Sequence, residues 1–188
     1  MKRTLISILL LALLVTLTAC GGGEKAAPQT QDDAVPAKAS DASASAAPAP
    51  EAGSKYVLTY RDCPLPMNAE FAPLLDFLGE PDSCFEAASC AFDGLDKTYT
   101  YDGVEIITYP DEERDYISSV RILDGGVSTP EGITIGSTPE EVTAACGEDF
   151  QDLGTQYVYE DGDARLSILF EDGAAISVEY TAINDLLG

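Results

Sequence analysis

The sequence predicts an α+β fold in which two tandem repeats, each a helix followed by three strands, form an antiparallel sheet with the helices packed on one face. Two observations predict it. Segments 64–81 and 132–149 align, and each contains a short extended piece, a helical stretch and a glycine. Short apolar runs separated by Asp-Gly pairs follow each segment, and Asp-Gly is typical of hairpin turns between antiparallel strands. The repeats are expected at about 55–125 and 126–188.

The two helices differ in how clearly their starts are marked. Asn68 could cap the first helix, but Pro73 would then lie inside it. A start near Glu70 instead puts Pro73 in the first turn, where proline is tolerated. The second helix has Thr138 as a cap and Glu141 to complete a capping box.

The strands are predicted from alternating apolar residues and from the turns between them. A leading strand is expected before the first helix, and three strands are expected after each helix. The predicted strand regions are 55–60, 97–109 (a hairpin turning at Asp102-Gly103), 116–123, 156–160, 164–170 and 175–182.

The N-terminus has the pattern of an export signal. Lys2 and Arg3 precede an almost wholly apolar run at 5–17, which is shorter than the roughly 20 residues of a transmembrane helix. The run ends in Leu17-Thr18-Ala19-Cys20, which resembles the lipobox of bacterial lipoproteins. That resemblance implies a signal peptide at 1–19, a lipidated Cys20 as the mature N-terminus, and attachment to the extracytoplasmic face of a cell membrane. The alternative is an ordinary signal peptide with a chance cysteine.

A tether is predicted from Cys20 to residue 54, ahead of a folded domain at 55–188. Residues 21–54 are rich in Ala, Pro, Ser and Gly and have no aromatic side chain. Such a segment buries too little apolar surface to offset the entropy of ordering. As a flexible coil it would span roughly 30–35 Å.

The composition argues against several classes of function. The chain carries 33 acidic and 10 basic residues, a formal net charge of -23, which disfavours nucleic acid and anionic membrane surfaces as partners and favours basic surfaces and cations. Histidine is absent from the sequence, which removes the usual general base and the commonest zinc ligand. No catalytic motif, metal site or cofactor site is predicted. The acidic runs at 109–116 and 159–167 do not fit a calcium-binding loop and are interpreted as solvated turns.

Five cysteines are present, and a lipidated Cys20 would leave four in an exported domain. An even number outside the cytoplasm favours disulfides, and four cysteines allow three pairings. We expect Cys84–Cys90, which would close a local loop, together with Cys63–Cys146. The spacings are those of neither a thiol-redox motif nor a zinc site.

Two tyrosine pairs are the candidate partner-binding residues. Tyr99 and Tyr101 would share one sheet face, as would Tyr157 and Tyr159, because side chains alternate along a strand. They either pack under the helices or form an exposed aromatic platform for a partner protein.

The segment "GITIGSTPEEVTAACGED" at 132–149, which precedes a run of strands, carries a further resemblance. It resembles the small lipoproteins of outer-membrane β-barrel assembly and the β-lactamase inhibitory protein, whose tandem repeats pack helices on a strand layer. Both act by binding other proteins, so the resemblance implies a protein-binding or adaptor module and not an enzyme. Those families have two helices per unit where one is predicted here, and no binding motif carries over.

Three functions follow in order of support. The first is a membrane-anchored, extracytoplasmic protein-binding lipoprotein with a protein partner in the envelope. The second is an envelope lipoprotein that binds a small ligand or a cation. The third is an envelope enzyme that uses two of the many carboxylates, although no pair of them stands out.

Overall fold

The computed structural model describes residues 53–184. The predicted signal peptide at 1–19, the lipidated Cys20 and nearly all of the tether lie outside the described residues, as do residues 185–188. The strands are Leu58–Tyr60 (β1), Cys63–Leu65 (β2), Ser83–Ala88 (β3), Leu95–Tyr101 (β4), Val104–Asp111 (β5), Arg114–Ile122 (β6), Gln151–Asp152 (β7), Gln156–Asp161 (β8), Ala164–Glu171 (β9) and Ala174–Ala182 (β10). The helices are Ala72–Leu78 (α1) and Pro139–Cys146 (α2).

One eight-stranded antiparallel sheet dominates the structure. Its strand order is β3-β4-β5-β6-β10-β9-β8-β7, and β1 and β2 form a separate hairpin. Strands β6 and β10 pair at its centre, where Val120 lies opposite Tyr180. Each half of the sheet therefore comes from one half of the chain, and each half is preceded by one helix.

The predicted α+β class, with helices packed on one sheet face, is wrong, because the fold is mainly β. The two helices have seven and eight residues, against ten strands in the described part of the chain. Glycines at 79 and 147 end both helices after about two turns. The expected three strands per repeat is also wrong, since β3 and β7 add a fourth strand to each half. That the halves are tandem repeats stays a prediction from the sequence.

The core lies on one face of the large sheet. The β1–β2 hairpin covers much of that face with Leu58 and Leu65, which are fully buried, while the helices contribute Leu74, Leu78 and Val142. The sheet contributes the alternate side chains of its strands, as expected when one face is buried. Its fully buried members include Val104, Ile106, Ile117, Val120, Tyr159, Leu166, Ile168, Val178 and Tyr180.

The opposite face is more polar and holds an ion-pair bridge between the halves. Arg121 on β6 contacts Glu105 on β5 at 3.1 Å and Glu179 on β10 at 3.3 Å. All three lie in one row of the sheet, because Arg121 pairs with both glutamates in the strand register. The row therefore links the two halves on the face away from the core.

Several local predictions are confirmed. The Asp102-Gly103 turn joins β4 to β5, and Gly103 has the positive φ of 77° that such turns need. Thr138 and Glu141 form the capping box of α2, with the Glu141 N–H donating to Thr138 Oγ1 and the Thr138 N–H donating to Glu141 Oε2. Helix α1 begins at Ala72, so the later of its two predicted starts is correct and Pro73 lies in the first turn.

Candidate interaction edge and neighbouring sites

The predicted tyrosine platform is not exposed. Tyr99, Tyr101 and Tyr159 are 7%, 2% and 0% exposed, because their face of β4 and β8 is the one that the core covers. Tyr157 is half-buried against Phe150, with ring centroids 4.1 Å apart. The packing interpretation is therefore correct for the three buried tyrosines, and the aromatic-platform prediction for them is wrong.

Tyr101 and Tyr159 have a structural role instead. The Tyr101 hydroxyl donates to the carbonyl of Gly79 at 3.1 Å, and the Tyr159 hydroxyl donates to the carbonyl of Gly147 at 3.0 Å. Each bond ties a sheet strand to the residue at which a helix ends. Burial raises the pKa of Tyr101 to about 12 and also raises the pKa of Tyr159.

Neither predicted disulfide is present among the described residues, where all four cysteines are free thiols. Cys84 and Cys90 do not close a loop, because the chain from Cys84 onward is the extended strand β3, and the Ser89 N–H continues its pairing by donating to Gly94 O. Five extended residues span about 16 Å, which leaves the Cys90 Cα about 12 Å or more from that of Cys84. A disulfide needs these atoms within about 7 Å.

The other two cysteines lie beside different halves of the sheet. Cys63 on β2 is buried near Tyr101, and Cys146 at the end of α2 lies near Tyr159. Burial raises the pKa of both thiols, that of Cys146 to about 11 with a further contribution from Glu131. Both thiols are therefore protonated at neutral pH, and neither has the lowered pKa of a reactive cysteine.

Strand β3 is the exposed edge of the sheet and the strongest candidate for an interaction site. It pairs with β4 along all six of its residues, and its other side has no partner strand within residues 53–184. All six side chains are exposed, and Phe85 is 67% exposed. The opposite edge strand, β7, has only two residues. Native sheets usually protect an edge of this length with lysine, proline, a bulge or a covering segment. Strand β3 contains no lysine and no proline.

The strand register identifies which backbone groups point away from the sheet. The bond from Ser89 N to Gly94 O fixes the alternation, so Ser83, Phe85 and Ala87 bond to β4. The N–H and C=O groups of Cys84, Glu86 and Ala88 consequently face the open edge. These are the groups that an added strand would use.

Side chains on the two faces of this edge differ in chemistry. Phe85 lies opposite Thr98, which in turn lies opposite Ile107, so this side of the edge is partly apolar. Glu86 lies on the other face opposite Lys97, but the Lys97 ammonium donates to Asp115 at 2.7 Å.

A second site is a cavity of about 500 Å³ beside the loop before α2. Residues 131–137 line it, together with Glu141 and Ala145. One Glu131 carboxylate oxygen is buried with no hydrogen-bond partner in the described part of the chain. A buried unpaired oxygen of this kind is costly.

Basic side chains in the described region are already engaged. Lys97, Arg114, Arg121 and Arg165 pair with carboxylates, while Lys55 and Arg61 lie over tyrosine rings. Most of the acidic excess is therefore uncompensated on the surface. Within the described ranges, no three Cys, Asp or Glu side chains converge in a way that would hold a metal ion. Neither α1 nor α2 is long and apolar enough to cross a membrane.

Comparison with known proteins gives little further information. The sequence matches no protein-family model and no curated protein sequence. Among solved structures, the chain is similar to a cysteine-rich secretory protein from Staphylococcus aureus, with 17% identity and a TM-score of 0.43. That match covers 62% of this chain and 44% of the other protein, so the chain spans less than half of its length.

Proposed function

We propose that the protein is a lipid-anchored, extracytoplasmic protein-binding module that takes up an extended segment of an envelope partner along β3. One observation carries the proposal: β3 is a six-residue edge strand with every side chain exposed and with an exposed phenylalanine at its middle. Strand addition at such an edge is a common mode of peptide recognition, in which backbone hydrogen bonds supply affinity and side chains supply specificity.

The anchor and the tether complete the proposal. The lipobox at Leu17–Cys20 supports lipidation of Cys20, and the composition of residues 21–54 supports a flexible spacer between membrane and domain. The proposed role is non-catalytic and uses no cofactor. Labelling cells with a fatty-acid analogue tests the anchor: label is expected on the native chain and not on Cys20→Ala.

A photo-crosslinking experiment tests the interaction edge. A photoreactive residue is placed at Phe85, or as a matched control at Leu153, which is 55% exposed beside the opposite edge. We expect an adduct with a specific envelope protein from position 85 that Ala88→Pro abolishes. Ala88→Pro removes an outward N–H while leaving the bonds to β4 in place. Equal adducts from both positions, or an adduct that survives Ala88→Pro, would contradict strand addition.

A second candidate function is supported by the cavity beside Glu131. The two acidic residues in its lining, Glu131 and Glu141, favour a small cationic ligand or a metal cation. Thermal melts with calcium and with an alkylamine such as putrescine test this function. A rise in Tm that disappears in Glu131→Gln supports it, because a specific ligand stabilises the folded state. An unchanged Tm with both probes counts against it.

A further inference from the structure

The charges around β3 restrict which partner strand can pair with it. Strand β3 of a second copy of this chain could pair with it through backbone hydrogen bonds, but the charges of the two copies would repel. Pairing that places Glu86 opposite Glu86 of the other copy puts two carboxylates side by side, which is destabilising. The chain also carries a formal net charge of -23, so two copies repel each other at every register.

Free carboxylates lie on both faces at this edge. Glu86 is on the core-side face, and its cross-strand neighbour Lys97 is already bound by Asp115. Asp96 lies opposite Ala87 on the Phe85 face, and one of its carboxylate oxygens is buried with no hydrogen-bond partner in the described region. An ammonium or guanidinium group on an incoming strand would pair with Glu86.

We infer that β3 binds an extended, basic polypeptide segment in which lysine or arginine opposite Glu86 alternates with an apolar residue opposite Phe85. This inference rests on the proposed strand addition and adds the partner's chemistry to it. The alternation follows from the sheet: neighbouring residues of an added strand lie on opposite faces, as Phe85 and Glu86 do. The apolar residue contacts Phe85, while the basic residue contacts Glu86.

The test uses the full chain carrying Cys20→Ala and two synthetic peptides. One peptide alternates lysine and valine over eight residues, and the other has glutamate in place of each lysine. Calorimetry at low and high salt measures both. We expect binding of the lysine peptide to be at least about tenfold tighter, weaker at high salt, and abolished by Ala88→Pro. Glu86→Gln is expected to weaken it about threefold, whereas Asp152→Asn on the opposite edge strand is expected to leave it unchanged.

The outcomes separate this inference from the proposed function. If both peptides bind equally and Ala88→Pro abolishes both, the basic partner is wrong and strand addition stands. If sedimentation shows a dimer that Ala88→Pro dissociates, the occupant is a second copy and the basic partner is again wrong. If neither peptide binds, or if Ala88→Pro leaves binding unchanged, strand addition at β3 is wrong as well.

Discussion

The two halves of the sheet share their interior and differ at their edges. Tyr101 and Tyr159 occupy matching places in β4 and β8, and each donates to the glycine carbonyl at which its helix ends. The edges diverge: β3 has six exposed residues, whereas β7 has two. A shared interior with different edges indicates that packing constrains the centre of the sheet more than its edges, and the proposed interaction site lies at the edge of the first half.

The helices that precede the halves also differ. Helix α2 has a capping box built from Thr138 and Glu141, and helix α1 has Phe71 at its N-cap with no side-chain hydrogen bond. Phe71 is 1% exposed and packs against Tyr99, with ring centroids 4.7 Å apart and the rings tilted by 47°. The start of α1 is therefore fixed by packing, and the start of α2 is fixed by local hydrogen bonds.

The largest expected effect tests whether the halves unfold together. Ile106→Ala on β5 and Leu166→Ala on β9 each remove a fully buried side chain, so each should lower the free energy of unfolding by about 2–5 kcal/mol. Because the core and the β6–β10 pairing are continuous, each variant should show a single urea transition by tyrosine fluorescence and by circular dichroism.

The control for that experiment is Ile176→Ala, which is 48% exposed and should change the free energy by less than about 0.5 kcal/mol. Two separate transitions, with each core variant shifting only one of them, would show that the two halves unfold independently.

The shared tyrosine bond gives the next largest effect. Tyr101→Phe and Tyr159→Phe each remove the hydrogen bond to a glycine carbonyl at an exposed helix end, so each should lower the free energy of unfolding by about 0.5–1.5 kcal/mol. Similar values in the two halves would support equivalent roles. If only one variant lost stability, the glycine carbonyl in the other half would be hydrated by water instead, and the two tyrosines would not have equivalent roles.

The same tyrosines predict how stability depends on pH. Burial raises the pKa of Tyr101 from 10.0 to about 12, so the folded state holds this proton more tightly than the unfolded state does. Stability is therefore fully present below pH 10 and falls as pH rises from 10 to about 12. Cys146, with a pKa raised from 9.0 to about 11, should start the decline earlier, near pH 9. Urea titrations between pH 8 and 11.5 should show a shallower decline in Tyr101→Phe, and an unchanged slope would contradict the assignment.

The sequence predicts features whose signal is local and misses those set by tertiary contacts. The Asp102-Gly103 turn and the Thr138 capping box need only neighbouring residues, and both are confirmed. Strand β3 has no alternating pattern because all its side chains are exposed, and the pair formed by Cys84 within it and Cys90 just after it suggested a loop instead.

The tyrosines illustrate the same limit at the candidate site. Alternation along β4 shows that Tyr99 and Tyr101 share a face, but not which face the β1–β2 hairpin covers. The fold class was missed for a similar reason, since a helix pattern reveals neither that a hairpin shares in covering the core nor that the helices have only seven and eight residues.

The helix starts give a smaller effect. Thr138→Ala removes one half of the capping box and should lower the free energy of unfolding by about 1 kcal/mol. Amide hydrogen exchange in the first turn of α2 should become faster. Glu140→Gln, in the same turn but outside the capping box, is the control and should lower the free energy of unfolding by less than Thr138→Ala does. If Thr138→Ala opened α1 to exchange as much as α2, the difference between the two starts would not be local.

The smallest stability effect concerns the edges. Phe85→Ser on β3 and Leu153→Ser beside β7 remove side chains that are 67% and 55% exposed, so each should change the free energy of unfolding by less than about 0.5 kcal/mol. The two variants should differ in peptide affinity. Phe85→Ser removes the apolar contact at the open strand, whereas Leu153→Ser lies beside an edge strand that is too short to pair with a peptide. We expect the lysine–valine peptide to lose affinity only with Phe85→Ser. Equal losses at both edges would mean that the peptide recognises the acidic surface in general, and the difference between the two edges would then have no role in binding.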